Sequence, residues 1–580
     1  MTDTPSQSLS LNWKITGKAG EGVMLAAKLF AQTVKRHGLA NFTYLEYPSL
    51  IKGGHQTGQV YANADGATCQ KKMIEVLIAI NQEGMKQHLS ELTPETIVIY
   101  NSDAGPIDKS AYQQVTSKLI ELPLFTLAKE NTGDLMATNI ICVAISAHIY
   151  GLDVALTKQS ILDDLAGKPQ EIIDKDLKAF EVGLTLAKEK IPQLKTITPA
   201  QDDKILLTGN EAIGLGALAG GCQFYSAYPM TPSSALLHFM AEQQTHYPLV
   251  VKHAEDEIAA INQAIGASYA GVRAMTGTSG GGLALMTEAV SLTSITETPL
   301  VILNGQRVGP ATGLPTWTEQ ADLSFVLSMG HGDIQRIVLT PGTIEEHFNL
   351  SKLAFQLAEK YQIPVFIMSD KFALESYHTL IKPDSVASMQ RQSLAEASDL
   401  PEDNSYRRYK LTDAGISPRS LPGQPHGLHL ANSYEHDEYG YATEEASVTK
   451  NQVDKRTRKM TGALAELPPP VLLGPAQADL TLVGWGSTVL VLQELINQLA
   501  QQPMGKTVNA IHLPSVWPFP VEAFTALAKT AQKLVMVEGN AGGQAEKLIR
   551  QETGITLSDR IHRYDGRPFY VEELIEYLKK

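Results

Sequence analysis

Four short segments carry the side chains best suited to chemistry: Tyr228-Pro229-Met230-Thr231-Pro232-Ser233-Ser234, Glu255-Asp256-Glu257, Thr278-Ser279-Gly280-Gly281-Gly282 and Gln306-Arg307-Val308-Gly309-Pro310. They offer a hydroxyl, carboxylates, a close backbone approach and a guanidinium. Thr231 before Pro232 reads as the N-cap and first position of a helix. The free N–H groups of such an end suit a substrate carboxylate. The planar fork of Arg307 grips a carboxylate through two parallel hydrogen bonds. The acidic run reads as a helix start, where negative charge complements the macrodipole. The glycines either let a ligand approach the backbone or form a sharp turn under a helix beginning at Leu283. Taken singly, each segment also has a plain reading as a capped helix, a turn or a surface arginine.

Their placement joins them. Each follows an apolar, strand-like run, at 224–227, 249–251, 272–275 and 300–303. In an open parallel α/β sheet, ligands bind at the carboxyl ends of the strands. Four polar segments at such ends predict one site.

In order and spacing the set resembles the pyrimidine-side domain of the 2-oxoacid:ferredoxin oxidoreductases, which are thiamine diphosphate enzymes. The likeness extends over nearly the whole chain, as an α subunit with the family's γ domain fused at its N-terminus. Residues 305–320 most resemble the 2-oxoglutarate enzyme. The resemblance implies that Glu257 holds N1′ of the aminopyrimidine, and that Tyr228, Pro229, Thr278, Ser279 and Gly280 line the cofactor. It implies that Thr231 and Arg307 contact the substrate's common carboxylate or keto oxygen. It also implies that Lys52, in Tyr47-Pro48-Ser49-Leu50-Ile51-Lys52-Gly53-Gly54-His55, meets either the distal carboxylate of 2-oxoglutarate or coenzyme A; a solvated lysine on a glycine turn is the alternative. Gly20 and Gly22, in Gly17-x-x-Gly20-x-Gly22, are candidate coenzyme A contacts, although the string lacks dinucleotide spacing.

Thiamine diphosphate enzymes bind the diphosphate and Mg²⁺ through a Gly-Asp-Gly motif. The nearest strings here are Gly133-Asp134-Leu135 and Gly332-Asp333-Ile334. The three cysteines, Cys69, Cys142 and Cys222, are scattered; they make no disulfide framework or cluster-binding motif and read as small buried hydrophobes. The resemblance therefore implies a partner β subunit that brings the diphosphate and Mg²⁺ site and a [4Fe-4S] cluster. It further implies an (αβ)₂ assembly, ferredoxin as acceptor, and no activity from this chain alone. The expected reaction converts 2-oxoglutarate and coenzyme A to succinyl-CoA, CO₂ and reduced ferredoxin, reversibly, as in the tricarboxylic acid cycle. A pyruvate or other 2-oxoacid enzyme is the alternative within the class. A non-catalytic coenzyme A- or nucleotide-binding protein is the alternative outside it, favoured if Glu257 and Arg307 prove far apart or exposed.

Bulk properties agree with a soluble enzyme. The 580 residues are 43% hydrophobic and 19% charged, ordinary for globular proteins. A formal charge of −14 disfavours nucleic acid as a partner. No apolar run reaches a membrane span and no secretory signal is visible, so cytoplasm is the expected compartment.

A single core stops growing at roughly 250–300 residues, so several domains are expected. The expected class is α/β with three α/β domains: a γ domain over 1–190 and, after a linker at 191–204, a pyrimidine-binding domain over 205–375. A long, partly irregular connection spans 376–470, and a transketolase C-terminal-like domain covers 471–580. In the first, strand-like runs at 12–16, 41–45, 76–80, 96–100 and 119–122 alternate with helical spacing, as at 23–36, and predict a largely parallel sheet. In the last, 480–485, 507–511 and 534–537 read as parallel strands.

Overall fold

A computed structural model describes residues 9–49, 54–382 and 389–580. The chain divides into two compact units, one formed by 1–208 with 375–383 and 570–580, the other by 209–374 with 384–569.

The first unit is built on an eight-stranded sheet in the order Leu119–Leu122, Ile97–Asn101, Val76–Ala79, Ser10–Lys18, His55–Asn63, Ala40–Glu46, Tyr377–Ile381, Lys204–Thr208. The pairs from Leu119–Leu122 to Ser10–Lys18 are parallel and the rest antiparallel. The sheet is thus mixed, not largely parallel as expected. The strand that escaped sequence reading, His55–Asn63, buries Thr57 and Gln59 where apolar residues would have marked it. Gln59 Nε2 donates to Asn12 Oδ1 at 2.9 Å and to the Lys71 carbonyl at 2.6 Å, which offsets part of the cost of burying the amide, although Oε1 has no partner. Lys204–Thr208 and Tyr377–Ile381 pair with each other in this sheet, and the helix Val571–Leu578 belongs to this unit, which differs from boundaries drawn at 205 and 376 and from a last domain running to 580. Against the sheet, Val23–Arg36 buries Ala26, Ala27, Phe30 and Val34, and nearly every residue of Thr138–Ile149 is buried.

The second unit holds two sheets. The seven-stranded one runs Ser515–Trp517, Ile337–Leu339, Pro364–Asp370, Leu300–Gln306, Ala274–Thr278, Phe224–Ala227, Val250–His253 and is parallel apart from its first edge strand. Leu300–Gln306 and Pro364–Asp370 are buried at every residue, and their cores at 300–303 and 365–368 read as continuous apolar runs. The five-stranded sheet runs Val471–Leu473, Val508–Leu513, Leu480–Trp485, Leu534–Glu538, Asp559–His562, again parallel except at its first strand. Leu283, Val290, Ile302, Phe366, Trp485 and Met536 belong to one core cluster that joins residues of the two sheets.

Within the long connection, Ala446–Glu466 is a 21-residue helix. Its buried positions are Gln452, Lys455, Arg456, Lys459 and Ala463. A helix that buries its charges shows no apolar period, so its sequence reads as irregular. All three cysteines are buried, and burial pushes the Cys142 and Cys222 thiols up to about 12. No helix among the described residues is long and apolar enough to cross a membrane.

Candidate active site

The parallel strands Phe224–Ala227, Val250–His253, Ala274–Thr278 and Leu300–Gln306 lie side by side, so the segments leaving their carboxyl ends converge. Val250–His253 leads into the acidic run. Asp256 is the N-cap of the helix Glu257–Tyr269 and its Oδ1 accepts from Ala259 N–H at 2.7 Å. Glu255 and Asp256 are exposed, whereas Glu257 is only 4% exposed. Its Oε1 is buried without a hydrogen-bond partner. A bare buried carboxylate oxygen is costly unless a donor reaches it.

The glycine segment closes on that carboxylate. A Cβ on Gly282 would stand 2.7 Å from Glu257 Oε1 and 2.1 Å from Thr278 Oγ1. A side chain here would displace one or the other, so glycine is required by space. The helix begins at Gly280, with Ser279 as N-cap, rather than at Leu283 as expected. Packing under Glu257 and Thr278 overrides the low helix propensity of the glycines. Thr278 and Ser279 are buried, and the Ser279 hydroxyl has no partner. Thr278 Oγ1 lies 3.9 Å from Met230 Sδ, which links this turn to the segment after Phe224–Ala227.

Thr231 is joined to Pro232 by a cis peptide, and the helix begins three residues on, at Ser234, with Ser233 as N-cap. Thr231 is therefore in the turn before the helix, not its cap as expected. Its carbonyl accepts from Arg307 Nη1 at 2.9 Å. Arg307 directly follows the strand Leu300–Gln306 and is partly buried; burial draws its pKa down while Asp322 opposes that shift. Asn210 Nδ2 donates to the carbonyls of Pro232 and Leu374, each at 3.0 Å, which fixes the turn from behind. Tyr228 is 39% exposed, with its ring 6.4 Å from that of His253, and Pro229 is partly buried.

Asp322 belongs to this constellation and was not singled out by sequence reading. Its Oδ2 accepts from Asn304 Nδ2 at 3.0 Å and its backbone N–H donates to Gln306 Oε1 at 3.2 Å. Close approaches thus link Glu257, Gly282, Thr278 and Met230 on one side, Gly280, Asp322 and Asn304 on another, and Arg307 with Thr231 on a third.

In the first unit, Gly22 (φ 76°) is the N-cap of Val23–Arg36, and a Cβ there would overlap Asn139; Gly20 (φ 97°) is exposed with open space around it. Their neighbours Lys18 and Glu21 border a cleft of about 730 Å³ that Asn81 and Tyr112 also line. Lys52 lies outside the described residues.

Residues 215–455 match the family model described as "Pyruvate flavodoxin/ferredoxin oxidoreductase, thiamine diP-bdg". Residues 12–186 match "Pyruvate ferredoxin/flavodoxin oxidoreductase", and residues 471–557 match the transketolase C-terminal domain. The chain is 30% identical to a 2-oxoacid:ferredoxin oxidoreductase subunit alpha of Sulfolobus sp, over 99% of this chain and 97% of that one. It is 30% identical to the 2-oxoglutarate synthase subunit KorA of Methanocaldococcus jannaschii, over 64% of this chain and 98% of that one. Among solved structures, a 2-oxoglutarate:ferredoxin oxidoreductase from Magnetococcus marinus with 2-oxoglutarate, coenzyme A and succinyl-CoA bound superposes with a TM-score of 0.90, at 31% identity, covering 98% of this chain and 99% of that one.

Proposed function

We propose that this chain, which belongs to the 2-oxoacid:ferredoxin oxidoreductase family as an α subunit, acts on 2-oxoglutarate, converting it with coenzyme A to succinyl-CoA, CO₂ and reduced ferredoxin. The observation that carries the reading is the buried, unpartnered Oε1 of Glu257, which a Cβ on Gly282 would approach to 2.7 Å. Those residues fit the aminopyrimidine of thiamine diphosphate: a ring N–H needs one buried carboxylate acceptor and a flat, side-chain-free approach. When bound, the cofactor supplies the nucleophilic carbon and the electron sink for decarboxylation.

The residues of this chain do the rest by position. Glu257 would hold the aminopyrimidine by accepting a hydrogen bond at N1′, and the bound ring would supply a general base from its amino group. The Ser279 hydroxyl offers a second polar contact from the turn. Arg307 and Thr231, tied together through the Thr231 carbonyl, anchor the carboxylate that every 2-oxoacid shares. Lys52 takes the distal carboxylate that distinguishes 2-oxoglutarate, and Gly20 and Gly22 approach coenzyme A. Diphosphate, Mg²⁺ and the [4Fe-4S] cluster are held by a β subunit in an (αβ)₂ assembly that passes electrons to ferredoxin. The 2-oxoglutarate assignment is supported by the likeness to the Methanocaldococcus and Magnetococcus proteins. The broader name of the Sulfolobus relative favours a second reading, in which pyruvate and other 2-oxoacids are also accepted.

The test is co-expression with the partner and a panel of 2-oxoacids with a viologen acceptor, for wild type and Lys52→Ile. The expected result is no turnover without the partner, preference for 2-oxoglutarate with it, and a fall of roughly 30- to 1,000-fold in kcat/KM for 2-oxoglutarate alone in the variant. A parallel fall for pyruvate would remove Lys52 from specificity, and turnover by the isolated chain would overturn the shared-site reading.

A further inference from the structure

Open parallel α/β sheets bind their ligands at the carboxyl ends of the strands. In the five-stranded sheet that place is taken by a side chain of the protein itself. Gln320 is only 2% exposed, and its amide reaches the ends of the neighbouring parallel strands Leu480–Trp485 and Leu534–Glu538. Nε2 donates to the Trp485 carbonyl at 2.8 Å, and Oε1 accepts from Gly539 N–H at 2.8 Å. Glycine leaves room for the amide after both strands: a Cβ on Gly486 would stand 2.9 Å from Nε2, and one on Gly539 3.2 Å from Oε1. The backbone of Gln320 is held as well. Its N–H donates to the Gly539 carbonyl at 2.7 Å, and its carbonyl accepts from Asn540 Nδ2 at 3.0 Å. The buried Glu538 carboxylate orients that amide, accepting from Asn540 Nδ2 at 2.8 Å. One residue on, the Ala321 carbonyl accepts from Gln544 Nε2 at 2.7 Å.

The limb held in this way is bonded to the residues on both sides of Arg307. Val308 N–H donates to the Trp317 carbonyl at 3.3 Å, and Gly309 N–H to Glu319 Oε2 at 3.2 Å. Asp322 N–H donates to Gln306 Oε1 at 3.2 Å. Direct hydrogen bonds therefore run from the turn after Leu534–Glu538 to residues 320 and 321, and from residues 317–322 to Gln306, Val308 and Gly309. We infer that Gln320 is a positioning residue of the substrate site: it fastens the loop between Arg307 and Asp322 to the five-stranded sheet and so holds Arg307 where it meets the carboxylate common to 2-oxoacids. The inference rests on the reading of Arg307 as the substrate anchor. All four polar atoms of Gln320 have partners, and a fully satisfied buried polar network fixes one arrangement. An apolar side chain of the same size would fill the space without fixing the limb.

The experiment compares Gln320→Met, Gln544→Met and Arg307→Ala in the assembled complex, with KM and kcat measured separately for 2-oxoglutarate and pyruvate. Met matches Gln320 in length and drops both amide bonds. Ile511→Val serves as control, because it trims the buried core of the same sheet and removes none of these bonds. Gln320→Met should raise KM about 5- to 50-fold for both substrates with kcat changed far less. Gln544→Met should raise it by less, and Ile511→Val should lower the melting temperature at wild-type KM. Wild-type KM in Gln320→Met, or a loss confined to kcat, overturns the inference. An equal rise in KM from Ile511→Val also overturns it, since lost stability would then explain the effect. If Gln320→Met fails to assemble, Gln544→Met settles the matter, a raised KM supporting the inference and an unchanged one overturning it. Arg307→Ala separates the two claims. If it leaves KM unchanged, the anchor reading falls and the inference with it, whereas damage from Arg307→Ala beside a silent Gln320→Met overturns the inference alone.

Discussion

Two buried glutamates in the second unit have opposite surroundings. Glu297 is 0% exposed in a left-handed backbone conformation (φ 50°), beyond the helix Thr287–Ile295. Its two carboxylate oxygens accept from Lys455 and Lys459 of the helix Ala446–Glu466, and its carbonyl accepts from Arg408 Nη2 at 2.8 Å. Glu257 is nearly as buried, yet one of its oxygens accepts nothing. Burial alone does not separate the two carboxylates; completeness of partners does. The saturated group fastens the long connection to the core, and the bare one is the acceptor proposed above for a ring nitrogen.

The comparison breaks first at Glu257. Glu257→Gln should lower turnover of the assembled complex by roughly 10²- to 10⁴-fold, the range of general acid–base contributions. Without bound cofactor its melting temperature should hold or rise, because a buried carboxylate oxygen without a partner has been replaced by a neutral amide. Glu297→Gln should do the reverse. It leaves two buried ammonium groups uncompensated, at a cost of about 3–5 kcal/mol read from denaturant unfolding. The kcat/KM of the molecules that remain folded should match wild type. A catalytic defect from Glu297→Gln at full stability would erase the distinction.

A smaller effect sharpens the comparison through pH. Burial brings the Lys455 ammonium down to about 7 from 10.5, against the pull of Glu297. Between those values the unfolded chain carries a proton that the folded chain lacks, so this group makes stability rise with pH across that window. The slope is at most about 1.4 kcal/mol per pH unit. Thermal unfolding between pH 7 and 10 should show the rise in wild type and a flatter profile in Lys455→Met. A steeper profile in the variant would contradict the assignment.

Much of this architecture is legible in the sequence where burial is apolar. Phe224–Ala227, Leu119–Leu122, Leu480–Trp485 and the helix Val23–Arg36 stand where their spacing predicts. The strands ending at Thr278 and Gln306 run three residues beyond their apolar cores, because polar Thr276, Asn304 and Gln306 are buried at the ends that face the site. What stays hidden is polar burial. His55–Asn63 and Ala446–Glu466 pack Gln59, Lys455 and Lys459 inward, and only partners distant in sequence make that tolerable. Among Glu255, Asp256 and Glu257, spacing gives no reason to choose, and the choice of Glu257 came from resemblance. In the fold, Asp256 caps and Glu257 turns inward. Asp322 looks in sequence like any helix-capping aspartate, yet in the fold its carboxylate turns toward Asn304 instead.

On the proposed function, the bare oxygen of Glu257 serves the cofactor's pyrimidine nitrogen. The most direct measurement is hydrogen–deuterium exchange at thiazolium C2 in the assembled complex, wild type against Glu257→Gln, before any 2-oxoacid is added. The account predicts exchange slowed by roughly two to four orders of magnitude in the variant; exchange at the wild-type rate would contradict it.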